Sequence, residues 1–316
     1  MLAVQAEPTM ITRLRREFGP RLQEQVLLAR YTAARLGGPA DWFLEVRSTS
    51  ELVRAVRNLW EEDFPFHILG GGSNVLVSDR GVRGLVLLNR ARKVQFETQR
   101  TPPMVWAESG ANFGLIARQA AQHGLSGLEW AAGIPGTLGG AIVGNAGAHG
   151  ADISANLHVA EILHRNQQDP ARSARQTWTK DELEYGYRSS WLKTHPGQAI
   201  VLSAWLILQA GTEGQMQARM DEFAEYRRRT QPPGASLGSI FKNPPGDYAG
   251  RLIEAAGLKG ARMGGSEISP KHANFFINHE GAKAEDLRRL IELAQNEVHR
   301  QFGVTLELEI ELLGEW

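Results

Sequence analysis

The chain contains no cysteine among its 316 residues. This absence excludes disulfide bonds, thiolate nucleophiles, iron–sulfur clusters and zinc sites built on cysteine. It also fits a reducing compartment, so we expect a cytoplasmic protein. The nine histidines form no HExxH motif and no close pair, and we therefore predict that the protein has no dedicated metal site.

An excess of charge of one sign is also missing, because 35 Lys and Arg residues balance 35 Asp and Glu residues. A neutral chain offers no general attraction for nucleic acid or for an anionic membrane surface. No apolar run reaches the length that crosses a membrane, and residues 1–20 lack the continuous apolar core of a signal peptide. We therefore expect neither nucleic-acid nor membrane partners, and any anionic ligand must be bound by local groups.

Glycine, by contrast, is abundant and is concentrated in two stretches. The first separates two short apolar strands and consists of Gly70, Gly71, Gly72, Ser73 and Asn74. Successive glycine N–H groups can form a nest around phosphate oxygens, and the serine and asparagine side chains can add hydrogen bonds. It is not the dinucleotide-binding GxGxxG motif, because a strand follows it instead of a helix. A tight turn without a ligand is the alternative interpretation.

The second glycine-rich stretch covers residues 127–150 and surrounds Pro135. So many small residues would make a poor core and a poor regular element, but they suit a backbone that wraps a flat or anionic ligand. Disordered low-complexity sequence is the alternative, and the apolar residues spaced along the stretch argue against it.

Two further segments carry polar side chains that suit recognition of an acid. Arg188 lies among aromatic residues, which can hold its guanidinium rigid so that it presents a fork to a carboxylate. Ser239 lies on a glycine-flanked turn with Lys242 and Asn243 close behind it, so several polar groups can meet at one concave place. The alternatives are surface packing for the arginine and local backbone hydrogen bonding for the serine.

The C-terminal segment alternates strictly between apolar and polar residues over 304–312, which predicts a strand. Its polar face carries Glu307, Glu309 and Glu311. Such a face usually meets solvent, so a solvated strand is the alternative to any chemical role for these glutamates.

Hydrophobic spacing predicts alternating helices and strands in the rest of the chain. It predicts a helix over residues 11–28, and a second helix capped by Thr49 or Ser50. It also predicts a helix over residues 113–122 and a long C-terminal helix that ends at Gly303.

Seven motifs occur in the order found in one enzyme family. They are RLGGPA, ILGGGSNVLV, the run from IPG to NAGAHG, YGYRSSWLK, SLGSIFKNP, GGSEISPKHANFFIN and LELEIELL. In this order they resemble the UDP-N-acetylenolpyruvoylglucosamine reductase family, flavoenzymes that make UDP-N-acetylmuramic acid for peptidoglycan. The resemblance extends over the chain from about Leu28 to Leu312, and seven ordered motifs are far more specific than any single one.

The resemblance implies an α+β fold with a two-lobed FAD-binding part of the vanillyl-alcohol-oxidase-like (PCMH) type and a separate α/β substrate-binding domain. We place the two lobes at residues 1–90 and 91–213, the substrate-binding domain at 214–303, and a C-terminal strand with an active-site acid at 304–316. The implied cofactors are FAD and NADPH. The implied reaction transfers hydride from the flavin N5 to the enolpyruvyl ether of UDP-N-acetylglucosamine, followed by a proton on the neighbouring carbon.

The resemblance also assigns roles to residues by motif. Ser239 resembles the family's proton donor, Arg188 the residue that binds the substrate carboxylate, and Glu309 the second acid. Lys242 and Asn243 would position the serine or the substrate. The residues expected to hold FAD are Gly70, Gly71, Gly72, Ser73, Asn74, Ile134, Pro135, Gly136, Gly140, Asn145 and Gly147.

This chemistry sets a requirement on Glu309. Hydride addition pushes charge into the substrate carboxylate, and a fixed cation together with a neutral carboxylic acid stabilises that charge. The pKa of Glu309 must therefore be raised, either by burial or by the like charges of Glu307 and Glu311.

The chain departs from the family pattern in two places. His149 stands where the family commonly has a tyrosine, and the segment between Lys193 and Gln231 lacks the inserted loop whose tyrosine closes over the substrate in long-form members. The chain therefore resembles the short form. We expect a monomer whose partners are NADPH and a UDP-sugar enolpyruvyl ether. Two other functions stay open: a different flavin oxidase, and a non-catalytic nucleotide-sugar-binding protein.

Overall fold

The structure, a computed structural model, describes residues 9–316. Helices and strands are mixed along the chain, which confirms the predicted α+β class. The helices are α1 (Thr9–Phe18), α2 (Thr49–Glu61), α3 (Phe113–Gln122), α4 (Leu138–Gly144), α5 (Ile153–Asn156), α6 (Trp191–Thr194), α7 (Glu213–Thr230), α8 (Ala249–Ala255) and α9 (Ala284–Phe302). Within residues 9–316, none of these helices is both long and apolar enough to cross a membrane.

The strands form three larger sheets and several short pairs in the described part of the chain. They are β1 (Leu22–Leu27), β2 (Pro39–Val46), β3 (Phe66–Leu69), β4 (Val75–Val77), β5 (Val82–Asn89), β6 (Val94–Glu97), β7 (Met104–Glu108), β8 (Leu125–Ser126), β9 (Gly147–Ala148), β10 (Ala151–Asp152), β11 (Leu157–His164), β12 (Ala174–Trp178), β13 (Ala199–Ile207), β14 (Gln209–Ala210), β15 (Ala235–Ser239), β16 (Arg262–Met263), β17 (Ser266–Ile268), β18 (Phe275–Asn278) and β19 (Glu311–Leu313).

Two sheets lie in the first two thirds of the chain. The first has the order β1-β2-β5-β3, with β2, β5 and β3 parallel to one another, and helix α2 packs Val56 and Leu59 against it. The second is antiparallel with the order β12-β11-β13-β7-β6, and it shares a core with α3 and α4 that includes Phe113 and Ile142. Each sheet therefore has its own buried apolar cluster, as lobes of this size require.

The third sheet, β15-β18-β17-β16, packs against α8 and α9 around a separate core. Asp79 links this region to the first lobe, because its carboxylate oxygens each accept a hydrogen bond, at 3.0 Å, from the N–H groups of Ala284 and Glu285 at the start of α9. A carboxylate at this position satisfies helix N–H groups that have no partner inside the helix. The two regions are therefore joined by a side-chain cap.

The C-terminal segment returns to the first lobe, because β19 pairs in parallel with β4. The strand predicted over residues 304–312 is wrong in extent, since a regular strand forms only at Glu311–Leu313. The preceding residues are held by separate partners: Glu309 N–H donates to the Ile240 carbonyl at 2.8 Å, and Glu311 N–H donates to the Asn74 carbonyl at 2.9 Å. The segment therefore bridges two regions instead of joining one sheet.

The helix predicted over residues 11–28 is also wrong in its second half. Helix α1 ends at Phe18, because Gly19 adopts a left-handed φ of 57° and Pro20 follows it. The residues beyond form β1, which pairs with β2. The predicted cap of α2, Thr49 or Ser50, is also wrong, since the cap is Ser48, which accepts the N–H of Glu51 at 3.2 Å.

The other helix predictions are confirmed. Helix α3 has the predicted bounds, and α9 ends where Gly303 adopts a left-handed φ of 69°. The proposed domain boundaries stay predictions.

Candidate active site

The two glycine-rich stretches lie against each other. A side chain on Gly71 would place its Cβ 2.7 Å from the Gly136 Cα, and the Ser73 hydroxyl donates to the Pro135 carbonyl at 3.2 Å. Gly72 has a φ of 61°, and a Cβ there would overlap the Tyr31 carbonyl. Only glycine permits this backbone approach, so the two loops form one surface.

This joined surface keeps free hydrogen-bond donors. Within residues 9–316, the N–H groups of Gly71, Gly72 and Ser73 donate to no other residue. Three successive free N–H groups on a glycine turn match the requirement of a phosphate or diphosphate.

A cavity of about 800 Å³, which we call the larger cavity, opens beside this surface. It is lined by residues of both loops, including Gly71, Pro135, Gly136 and Thr137, and by Arg90 and Arg92. Arginine side chains beside free N–H groups suit an anionic nucleotide. Neither arginine was among the residues predicted from sequence, although two cations directly after a buried strand could have indicated them.

The remaining residues expected to hold FAD lie along the same path. Ile134 and Gly140 follow the loop into α4, where Gly140 N–H reaches the Thr137 hydroxyl at 3.4 Å. Asn145 ends α4 with a left-handed φ of 43°, and its side-chain amide donates to the Gly186 carbonyl at 2.9 Å. Its Oδ1 is buried with no partner in the described chain, so it offers an acceptor to a ligand.

Asn74 does not direct its side-chain donor toward the larger cavity. Its Nδ2 donates to the Glu309 carbonyl at 3.1 Å, and its own carbonyl accepts from Glu311 N–H at 2.9 Å. The predicted phosphate loop therefore also anchors the C-terminal segment. Any contact of Asn74 with a cofactor stays a prediction.

Arg188 is held in one geometry by its surroundings. It lies in a tight turn closed by hydrogen bonds between Gly186 and Ser189 and has a left-handed φ of 54°. Its Nε donates to Glu309 Oε1 at 2.8 Å, and its Nη2 donates to the Gly147 carbonyl at 2.7 Å. A contact of 3.5 Å from Nη1 to the Asn145 carbonyl completes the set. The guanidinium has five N–H donors, so donors remain for a ligand.

Of the three glutamates on the polar side of residues 304–312, Glu309 is less exposed than Glu307 and Glu311. The Glu309 side chain is 18% exposed, whereas that of Glu307 is 73% exposed. Burial raises the pKa of Glu309 above its ordinary value, and the cations Arg188, Lys193 and Lys242 oppose that rise. The expected direction and the expected role of burial are confirmed. The predicted contribution of Glu307 and Glu311 is wrong, because the charges around the carboxyl are positive.

Ser239 ends β15 and follows Gly238, whose φ is 75°. Its hydroxyl forms no hydrogen bond within residues 9–316, so it does not serve local backbone groups there. The backbone beyond it is fixed by the buried Asn274, which accepts the Phe241 N–H at 2.9 Å and donates to the Phe241 carbonyl at 2.8 Å. Asn274 was not among the residues predicted from sequence, because its contact with Phe241 exists only once β18 lies beside β15.

A second cavity, the smaller cavity, has a volume of about 390 Å³. Its lining includes Ser239, Asn243, Tyr248, Lys271, His272 and Asn274. Arg188 and Glu309 are not part of that lining, but Glu309 is joined to the serine segment by its hydrogen bond to the Ile240 carbonyl. The three predicted catalytic residues are therefore brought to adjoining segments.

The two predicted substrate-positioning residues differ in what they contact. The Lys242 Nζ lies 3.3 Å from Glu307 Oε2, in an ion pair with an exposed carboxylate. Asn243 accepts the N–H of Ala249 at 3.1 Å and so caps α8 at the edge of the smaller cavity. Their contacts with a substrate stay predictions.

His149 packs against helix α7 (Glu213–Thr230). Its ring stacks on Phe223 with centroids 4.0 Å apart and meets Tyr226 edge-on at 5.7 Å. Burial and the nearby Arg227 lower the pKa of His149.

Within residues 9–316, no group of three or more acidic, histidine or cysteine side chains could hold a metal ion.

Comparison with known proteins shows which sequences this chain resembles. The sequence profile for "UDP-N-acetylenolpyruvoylglucosamine reductase, C-terminal domain" matches residues 230–313, and that for an FAD binding domain matches residues 40–166. The chain is 43% identical over 288 residues to the UDP-N-acetylenolpyruvoylglucosamine reductase of Rubrobacter xylanophilus, covering 91% of this chain and 94% of the relative. It is 41% identical over 290 residues to that of Chloroflexus aggregans, covering 90% and 95%.

A solved structure gives the same result at the level of the fold. The crystal structure of UDP-N-acetylenolpyruvylglucosamine reductase from Thermus caldophilus superposes with a TM-score of 0.76 at 36% sequence identity. The match covers 92% of this chain and 99% of that one.

Proposed function

The chain belongs to the UDP-N-acetylenolpyruvoylglucosamine reductase family and has an FAD-binding domain, and on that premise we propose that it is an NADPH-dependent reductase. The substrate is the enolpyruvyl ether of UDP-N-acetylglucosamine, and the product is UDP-N-acetylmuramate. The observation that carries the proposal is the contact between Arg188 and Glu309, with Glu309 hydrogen-bonded to the residue after Ser239. In the proposal, this cation, this acid and the Ser239 hydroxyl act on one reacting group.

When bound, FAD would supply two-electron hydride chemistry that couples oxidation of NADPH to reduction of the enolpyruvyl ether. The residues that would hold FAD are the free N–H groups of Gly71, Gly72 and Ser73, the arginines of the larger cavity and the unpaired Oδ1 of Asn145. These donors and acceptors fit a nucleotide diphosphate joined to a flat polar ring.

Arg188 binds the substrate carboxylate in this proposal. Its contacts with Glu309, Gly147 and Asn145 fix the guanidinium before substrate arrives, so little reorganisation is needed as charge develops on the carboxylate. Guanidinium donors suit a carboxylate because two parallel hydrogen bonds can form.

Glu309 stabilises the same developing charge as a neutral acid. Burial favours its protonated form, and a protonated carboxyl can donate a hydrogen bond to the oxygen on which charge builds up. The half-buried position keeps water from competing for that bond. The proton needed for this state is lost as pH rises through the raised pKa.

Ser239 donates the proton that completes the reduction. Its hydroxyl has no competing partner in the described chain, and the residue lines the smaller cavity. Serine is a very weak acid, so it can serve only because the carbanion-like centre formed by hydride addition is far more basic. Lys271 in the same cavity suits the phosphate-bearing end of a UDP-sugar.

Stopped-flow absorbance of the two half-reactions tests the function. The purified protein should be yellow, NADPH should bleach the flavin, and the enolpyruvyl UDP-sugar should restore its absorbance in a single turnover under anaerobic conditions. Rapid reoxidation by oxygen with no response to the UDP-sugar would instead indicate a flavin oxidase. Binding of the UDP-sugar without reoxidation would indicate a non-catalytic binding protein.

A further inference from the structure

Lys193 contacts the backbone of two proposed catalytic residues, Arg188 and Glu309, and has no role in the mechanism above. Its Nζ lies 3.3 Å from the carbonyl oxygen of Glu309 and 3.5 Å from that of Arg188. The residue is half-buried, and in residues 9–316 its ammonium forms no direct ion pair with a carboxylate. Removing a cation from water is costly. The two carbonyl contacts offset part of that cost, and they indicate that the ammonium has a role at this position.

The lysine is placed by a short capped helix. Ser190 begins α6, accepts the Lys193 N–H at 3.3 Å, and donates its hydroxyl to the Val143 carbonyl of α4 at 2.7 Å. Arg188, just before this helix, has the left-handed φ of 54°. Such a conformation costs about 1 kcal/mol or more for a residue with a side chain, and a donor to its carbonyl helps to hold it.

The Glu309 backbone is held from three directions. Its carbonyl accepts from Lys193 and from the Asn74 amide at 3.1 Å, and its N–H donates to the Ile240 carbonyl at 2.8 Å. We propose that Lys193 is a positioning residue that holds the Glu309 carboxyl against the Arg188 guanidinium by donating to both carbonyls. The inference rests on the proposed function for the roles of Arg188 and Glu309.

The charge of Lys193 gives the proposal a distinct readout. The charged groups that face Glu309 are Arg188, Lys193 and Lys242, and those that face Lys193 include Glu311. Since Lys193 is a cation that lowers the pKa of Glu309, removal of its charge must raise that pKa further. Any ammonium this near would shift that titration, so the positioning role itself is read from the half-reactions: Lys193→Gln, which keeps a donor, should reoxidise faster than Lys193→Met.

The test compares Lys193→Met with Lys193→Arg and with the control Lys180→Met, an exposed lysine outside the site. In the oxidised FAD-loaded protein, infrared difference spectroscopy follows the carboxyl titration, and Glu309→Gln assigns the band. We expect the Glu309 titration to move to higher pH in Lys193→Met and to return toward wild type in Lys193→Arg. Flavin reduction by NADPH should be unchanged, while reoxidation by the UDP-sugar should slow about 10- to 100-fold.

The outcomes separate this inference from the proposed function. If the wild-type flavin is not reoxidised by the UDP-sugar, the proposed function fails, but the infrared titration still tests the lysine. An unshifted Glu309 titration in Lys193→Met, or an equal loss in both half-reactions, would overturn the inference. If Lys193→Met does not bind FAD, Lys193→Gln keeps a donor without the charge, and an unshifted Glu309 band in that variant would likewise overturn it.

Discussion

The surface formed by the two glycine-rich stretches, which is the proposed cofactor surface, differs from the proposed catalytic centre in the groups that it offers to a ligand. At the proposed cofactor surface the available groups belong to the backbone: Gly71 and Gly72 approach other main-chain atoms too closely for a side chain, and their N–H groups have no partner in residues 9–316. At the catalytic centre the side chains of Arg188, Ser239 and Glu309 come from three distant segments. At the glycine surface, even the Cβ of an alanine should therefore be harmful. In the catalytic centre, replacement of one functional group should reduce the rate without a large change in stability.

We expect the largest effect on rate from Ser239→Ala in the proposed catalytic centre. Loss of the proposed proton donor should slow reoxidation of the reduced flavin by substrate about 10³-fold or more, equivalent to about 4 kcal/mol. Reduction by NADPH should stay near wild type, because that step needs no proton from the serine. Stopped-flow absorbance measures both steps. Ser236→Ala on the same strand is the matched control, and an equal fall in both steps would remove the donor role.

Arg188→Lys tests whether a fork or merely a charge is needed. Lysine keeps the cation but cannot form two parallel hydrogen bonds to a carboxylate. We expect kcat/KM for the UDP-sugar to fall about 10²-fold, with little change in flavin reduction by NADPH. Steady-state kinetics with varied substrate would measure this, and wild-type kinetics in the variant would show that only the charge matters.

Gly72→Ala probes the backbone-built surface. The new Cβ would overlap the Tyr31 carbonyl, and the left-handed φ of 61° is unfavourable for alanine. We expect the free energy of unfolding to fall by about 1–3 kcal/mol and FAD to bind more weakly. Chemical denaturation and flavin fluorescence measure the two effects. Gly144→Ala, where a Cβ would meet nothing within 4 Å, is the control, and equal behaviour of the two variants would contradict the close-approach argument.

Glu309→Gln should have the smallest effect on rate and a clear effect on pH dependence. Because burial raises the pKa of Glu309, the neutral acid persists below that raised value and is lost as pH rises through it. Wild-type reoxidation should therefore decline on the alkaline side. Glutamine keeps a donor without a titrating group, so the rate should fall only about tenfold and that decline should vanish, whereas Glu309→Ala should be slower still. A retained alkaline decline would assign the titration to another residue.

Local patterns were sufficient to predict elements whose determinants lie within one segment. Helix α9 could be predicted with its end at Gly303, and the two glycine stretches stood out because so many small residues have few structural uses. The helix predicted over residues 11–28 failed because the pairing of β1 with β2 outweighs helical spacing once Gly19 and Pro20 end α1.

The catalytic centre was less accessible to sequence reasoning, and the reason is geometric. Motifs could nominate Arg188, Ser239 and Glu309, but strict alternation over residues 304–312 predicted a regular strand with three equivalent glutamates. Burial of Glu309 depends on partners from elsewhere in the chain, including Ile240 and Arg188. These contacts exist only in the folded chain, after the C-terminal segment has returned to pair with β4, so the burial of Glu309 could not be predicted from the local sequence.

The most direct measurement is a crystal structure of the FAD-loaded protein with the enolpyruvyl UDP-sugar bound. The account predicts that the Arg188 guanidinium binds the substrate carboxylate and that the Ser239 hydroxyl lies within about 3.5 Å of the carbon that receives the proton, across the double bond from the flavin. Glu309 should contact the same carboxylate. A substrate whose carboxylate lies away from Arg188, with Ser239 on the far side of a separate cavity, would contradict it.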